Sequence, residues 1–299
     1  MDLAELHPVA DSLQRLACKP TSEELGSVRG VSSLNSMSQL TSLLLLVEDL
    51  RDEEPWGVLS SLTNLQQLGL RVRASGDPSP LSALTRLSFL VIKPYQDTEA
   101  HGPAPFSLSS LQPLSTLRQL ELLQLDGCAC AATSLQGLAG LSKLTQLTIR
   151  CPGSWLSRLR SLEGISPGVM SLSVVGAPDL VSLAGIEACT SMTQLNLLKC
   201  GVHSLQPLRG LASMNRLMVH SCRLMTSLEG INGMSLCGLN VSHCSSLTQL
   251  SGVEHLSALV LLEVNDCGCV TSLQPLSQLG EGLQKLVVKE CSAVQEEVL

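Results

Sequence analysis

The sequence predicts an α/β repeat solenoid: a right-handed coil with a parallel sheet on its concave side and irregular or 3₁₀ turns on its convex side. Three observations predict it. About one residue in five of the 299 is leucine, while aromatic residues make up 2%, a skew unlike the mixed cores of globular enzymes. A nine-residue apolar pattern recurs every 22 to 24 residues over the C-terminal half. A second, serine-led apolar motif follows nearly every copy of the first.

The elements follow in chain order. Leu3, Leu6, Val9 and Leu13 lie near helical spacing, so residues 1–12 read as a short amphipathic cap. A repeat domain then occupies 13–299, irregular over 13–119 and regular over 120–291. Its strand motif reads L-x-x-L-x-L-x-x-C, with Met or Val replacing Leu in some copies. The clearest copies are Leu120–Cys128, Met192–Cys200, Met214–Cys222, Leu236–Cys244, Leu259–Cys267 and Leu283–Cys291. Degenerate copies start at Leu13, Leu40, Leu65, Leu87, Leu144 and Val169. The L-x-L alternation makes a short strand with one face inward. The second motif, S-L-x-G/P-L/I, recurs at Ser110–Leu114, Ser134–Leu138, Ser182–Ile186, Ser204–Leu208 and Ser227–Ile231. It is too short and too punctuated for a long helix and predicts 3₁₀ turns. Stretches rich in Pro, Gly and charge at Glu48–Gly57, Arg73–Pro80 and Pro94–Ser107 read as loops on the outer side or the rims. The chain stops eight residues after Cys291 without a polar capping repeat, so no C-terminal cap is expected within it.

These motifs resemble the leucine-rich-repeat family in its short, cysteine-bearing form, over roughly residues 13–291. The S-L-x-G/P-L/I half is most similar to the repeats of phosphatase-1 regulatory subunits and bacterial internalins. The Cys at the turn is similar to repeats of F-box substrate receptors and some trypanosome surface-locus proteins. The resemblance implies a leucine-rich-repeat horseshoe. It also implies a role in binding other proteins, without specifying which. The family's turn position commonly holds Asn or Cys, whose side chain satisfies backbone carbonyls. Cys128, Cys200, Cys222, Cys244, Cys267 and Cys291 occupy that position, so they read as a structural ladder. Ladder neighbours about 4.8 Å apart lie within disulfide reach. Reduced thiols are nevertheless expected, because the N-terminus has no basic-then-apolar leader.

Composition and motifs exclude several function classes. With 19 basic and 26 acidic residues the net charge is −7, the wrong sign for a non-specific nucleic-acid binder. No apolar run approaches the ~18–20 residues of a membrane span. No phosphate-binding loop, dinucleotide fingerprint, nucleophile elbow or H-E-x-x-H motif occurs, and no C-x-x-C. No catalytic residue, metal ligand or cofactor is therefore assigned, and His220 and His243 read as solvated surface histidines. The candidate concave binding face is Arg71, Lys93, Gln124, Asp126, Arg150, Asn196, Leu198, Met218, His220, Asn240, Glu263 and Asn265. Its mixed character suits a protein surface better than a nucleic-acid backbone. Trp56, Tyr95 and Trp155 lie in or beside loops and are candidate rim anchors. The expected function is a non-enzymatic protein–protein interaction module using the strand face and the N-terminal rim loops. The alternatives are the substrate-recognition arm of a larger F-box-type ubiquitin-ligase subunit, or an extracellular internalin-like adhesin. The expected location is cytoplasmic, and the phosphatase-regulator resemblance would make the partner a phosphatase or a cytoskeletal complex. No nucleic-acid or membrane partner is expected.

Overall fold

The computed structural model describes residues 2–18, 30–46, 55–72, 79–94, 107–108, 110–126, 129–130, 132–151, 158–279 and 282–293. The chain divides into two compact units, Met1–Ala132 with Gln136–Leu156, and Thr133–Leu135 with Ser157–Leu299.

The first unit opens with a 3₁₀ turn, Leu3–Val9, whose N-terminal cap is Asp2 accepting from the Ala4 amide at 2.9 Å. Leu3 and Ala10 are buried, Leu6 is half-buried and Val9 is exposed. Pro8, inside the turn, cannot donate a backbone bond. The strands are β1 (Arg15–Cys18), β2 (Ser42–Leu46), β3 (Gln67–Val72), β4 (Phe89–Pro94), β5 (Ser107–Leu108), β6 (Leu122–Asp126), β7 (Ala129–Cys130) and β8 (Gln146–Arg150). β1, β2, β3, β4, β6 and β8 pair in that order, all parallel. β5 and β7 form a separate two-residue pair. Leu43, Leu68, Leu90, Leu123 and Leu147 fall in one register row, and Leu45, Leu70, Ile92, Leu125 and Ile149 in another. All ten are buried, as period-two alternation on a one-sided sheet requires. Short turns close the outer side at Val31–Ser36, Ser79–Ala83, Gln112–Thr116 and Gln136–Leu138.

The second unit repeats the plan more regularly. Its strands are β9 (Ser171–Val175), β10 (Gln194–Leu198), β11 (Arg216–His220), β12 (Gly238–Ser242), β13 (Leu261–Asn265) and β14 (Lys285–Lys289). Each pairs in parallel with the next, in unbroken register. Leu172, Leu195, Leu217, Leu239 and Leu262 are buried in one row, and Val174, Leu197, Val219, Val241 and Val264 in the next. On β14 the equivalent Leu286 is 48% exposed. The outer turns Ile186–Ala188, Gln206–Leu208, Val253–His255 and Gln274–Gln278 are 3₁₀.

Both halves of the repeat have a local cause. In the outer motif the serine hydroxyl accepts the amide two residues on: Ala184 from Ser182 at 3.1 Å, Gln206 from Ser204 at 3.2 Å, Gln274 from Ser272 at 3.1 Å. That leaves one free donor fewer at the turn's start. At the strand end, Lys199, Ser221, His243, Asp266 and Glu290 adopt φ between 49° and 55°. Each directly precedes a ladder cysteine. The left-handed residue breaks the strand's alternation, and the next side chain turns inward instead of outward. Cys200, Cys222, Cys244 and Cys267 are therefore buried. Each thiol lies against the last strand carbonyl of its own coil and one from the preceding coil. Cys267 Sγ, for example, is 3.4 Å from Asn265 O and 3.8 Å from Val241 O. Cys291 makes the same two contacts, while Cys128 lies outside the described residues. Parallel leucine rows closed by 3₁₀ turns make this fold a leucine-rich-repeat solenoid.

Candidate interaction site on the strand face

Residues between the inward leucines of a strand point away from the core. In the first unit this outward row carries Lys93, Gln124, Asp126 and Arg150. Gln124 Nε2 donates to Asp126 Oδ2 at 2.8 Å. Lys93 Nζ and Arg150 Nε each stand 4.0 Å from an Asp126 oxygen. The carboxylate is largely covered while the two cations are about half exposed. One carboxylate faces two cations, so the cluster keeps one net positive charge, and its exposed pairs contribute little stability. Arg71 lies on β3, with its side chain outside the described residues.

In the second unit the outward row is continuous from β10 to β14. Asn196, Met218, Asn240 and Glu263 stand side by side in register, as do Leu198, His220, Ser242 and Asn265. A polar relay holds one half of it. Ser242 Oγ donates to Asn240 Oδ1 at 2.8 Å, and Asn240 Nδ2 donates to Glu263 Oε2 at 2.6 Å. Lys285 Nζ donates to Glu263 Oε1 at 3.0 Å. That lysine, more than any other group, holds the Glu263 carboxyl below the usual carboxylate range. Asn265 Oδ1 is buried and accepts no hydrogen bond among the described residues.

Beside this relay the face is hollow. Gly238 occupies the register position between Arg216 and Leu261, and without a side chain there the sheet surface drops. A cavity of about 530 Å³ opens above it, lined by Asn196, Arg216, Met218, Asn240, Val260 and Glu263 among others. Met218 is 43% exposed on its wall. The sequence signal for this hollow is a glycine at an outward strand position, which pattern-reading by apolar residues passes over.

At the end of the strands His220 and His243 pack edge-on, ring centroids 4.6 Å apart, and His243 Nδ1 is bonded to Asp266. The two histidines thus belong to one contact rather than standing apart. Burial, then His243 and Lys199, pull the His220 pKa below its ordinary value. Among the described residues no group of three His, Cys, Asp or Glu side chains is placed to hold a metal ion. No helix among them is long and apolar enough to cross a membrane.

One predicted rim anchor needs correction. Trp56 is fully buried. It lies in α1 (Pro55–Leu59), the single α-helix among the described residues, whose first turn carries it into the core. A side chain without exposed surface cannot anchor a partner. Tyr95 and Trp155 lie outside the described residues.

No family model and no curated protein matches the sequence. Solved structures do. An internalin from Listeria monocytogenes is 18% identical with a TM-score of 0.46, covering 93% of this chain and 62% of its own. A leucine-rich-repeat protein of Leptospira interrogans is 13% identical with a TM-score of 0.49, covering 98% of this chain and 91% of its own. The functional domain of InlJ from Listeria monocytogenes, which includes a cysteine ladder, is 15% identical with a TM-score of 0.39. It covers 86% of this chain and 60% of its own. This chain therefore spans less than two thirds of the first of these and of InlJ. Its own repeats and strand register make it a leucine-rich-repeat protein.

Proposed function

We propose that the chain is a non-enzymatic recognition module that binds a protein partner across the outward strand face of β10 to β13. The observation that carries this reading is the hollow above Gly238, walled by Met218 and bordered by the Asn240–Glu263–Lys285 relay. An apolar pocket with a few fixed polar groups is the arrangement that seats one anchoring side chain and orients what surrounds it. Asn196, Leu198 and His220 extend the contact row, and Lys93, Gln124, Asp126 and Arg150 supply a second polar patch on the first unit. We take the partner to be a cytoplasmic protein, the compartment in which the ladder thiols stay reduced.

A cavity-filling variant tests this without disturbing the fold. A Cβ added at Gly238 would meet nothing closer than Arg216 Cγ at 3.8 Å, so Gly238→Phe fills the hollow from an unstrained backbone. Proteins captured by the wild-type chain from its source cell, measured by quantitative mass spectrometry, are expected to be lost with Gly238→Phe and with Met218→Asp. Capture that survives both variants sinks the strand-face reading.

A further inference from the structure

Between its ladder cysteine and the first leucine of its outer motif, the coil that begins with Cys200 is one residue short. Leu205 follows Cys200 by five positions, whereas Leu183 follows Ala177, and Leu228 follows Cys222, by six. The neighbouring turns at Pro178 and at Arg223–Leu224 therefore project past Gly201 on either side. The close approach leaves no room for a side chain there: a Cβ on Gly201 would lie 2.0 Å from the Pro178 carbonyl oxygen. The result is a notch of about 430 Å³ lined by Pro178, Lys199, Gly201, Ser221, Arg223 and Leu224, along with Cys200. It sits at the C-terminal edge of the strands, off the outward face described above.

Its lining is chemically one-sided. Lys199 and Arg223 both border it and no carboxylate does, in a chain whose net charge is −7. Neither cation forms an ion pair among the described residues, where the ion pairs lie elsewhere. Asp179 follows Pro178 in the same turn but does not line the notch. Leu224, at 56%, is the most exposed large apolar side chain among the described residues. Two cations beside a projecting leucine and a proline are complementary to a segment that is both acidic and apolar.

We propose that this notch is a second docking site for an acidic segment of a partner protein, which packs an apolar side chain on Leu224 and Pro178 and gives a carboxylate to Lys199 and Arg223. The site is independent of the strand-face hollow and goes beyond it.

The test uses the full chain and a short-peptide library with Glu or Asp on both sides of one fixed leucine. A matched library carries Lys at the flanking positions. Binding is read by fluorescence anisotropy at low and high salt. Acidic members are expected to bind, more weakly at high salt, and lysine members are not. Arg223→Glu and Leu224→Asp, both at exposed positions, are each expected to weaken binding about ten-fold, while Met218→Asp leaves it unchanged. The proposal falls if no acidic member binds, if both libraries bind alike, or if Arg223→Glu and Leu224→Asp change nothing. If Met218→Asp and Gly238→Phe abolish binding while the notch variants do not, the acidic segment lies on the strand face. In that case the strand-face reading stands and the notch does not. Binding to phosphatidylserine vesicles but not to peptides, released by Arg223→Glu, would make the notch a membrane contact and overturn it equally.

Discussion

Gly230 shows how much a single missing Cβ decides in a stacked coil. Its φ is 109°, and a Cβ there would lie 2.4 Å from the Leu205 carbonyl oxygen of the coil before. Gly185 and Gly252 have the same conformation, and the side chain two residues on accepts each amide: Glu187 at 2.7 Å, Glu254 at 2.7 Å, and Asn232 for Gly230 at 3.3 Å. The alternative solution is Pro113, Pro207 or Pro275, which fixes φ in the 3₁₀ range at the turn's start. The two solutions are not interchangeable, because only glycine reaches the left-handed region at no steric cost. Gly230→Ala therefore combines backbone strain of about 1–3 kcal/mol with a clash against rigid backbone. Chemical denaturation should show a loss above that range. Gly210 is the control: it also has φ of 95° but nothing within 4 Å of its Cβ position, so Gly210→Ala should lose only the strain part. Equal losses at both sites would mean that the close approach of successive coils carries no weight.

At the scale of the coil, the strand and the turn differ in how openly the sequence announces them. The strands are legible because leucine alternation is a burial signal repeated at fixed spacing. The 3₁₀ turns are legible because serine, glycine and proline punctuate them too closely for a longer helix. The hollow and the notch are not legible from that pattern, since one comes from a glycine at an outward position and the other from one missing residue. Trp56 misleads for a related reason: a five-residue helix is too short to show periodicity, so nothing in the sequence marks its inward face. The cysteine position is readable by its repetition, and the structure adds what it costs to open it. Burial and the Glu187 charge push the Cys189 thiol up to about 11. Contact with the Cys200 and Cys244 thiols respectively, then burial, raise Cys222 and Cys267 well above the ordinary thiol range. Such thiols are poor nucleophiles and react only when the coil opens. Maleimide labelling followed by peptide mapping should modify exposed Cys269 first and half-buried Cys237 next. Cys189, Cys222 and Cys267 should label together, only as denaturant opens the second unit, and Cys244 with them because it is fully buried although contact with Cys267 lowers its thiol pKa. Prompt labelling of Cys222 or Cys244 in the native protein would show that these coils open locally rather than as a stack.

For the molecule as a whole, the stacking that turns weak coils into a stable array also makes its stability sensitive to a few titrating groups on the strand face. A single repeat buries some six or seven apolar side chains at about 2 kcal/mol each, too little to offset ordering its backbone at about 1–2 kcal/mol per residue. Stability therefore exists only collectively, and a charge change on one strand is felt by its neighbours. Two groups define the windows. His220 has a pKa below its ordinary 6.5, set mainly by burial, so the unfolded chain takes up its proton first as pH falls. The protein is then destabilised as pH drops through 6.5, and the loss levels off once the folded state is protonated too. Glu263 has a pKa below 4.5, held down chiefly by Lys285, so its contribution is complete above 4.5 and is lost as pH falls through the folded value. Lys199, His243 and Asp266 face the same strand ends as His220. Urea unfolding across this range should show a plateau above about pH 7, a first decline below 6.5 and a second below 4.5. His220→Gln should flatten the first decline and leave the second. Glu263→Gln should flatten the second, lower the plateau slightly, and leave the first. If His220→Gln keeps the first decline intact, the proton uptake lies elsewhere in the chain, and His220 is electrostatically idle.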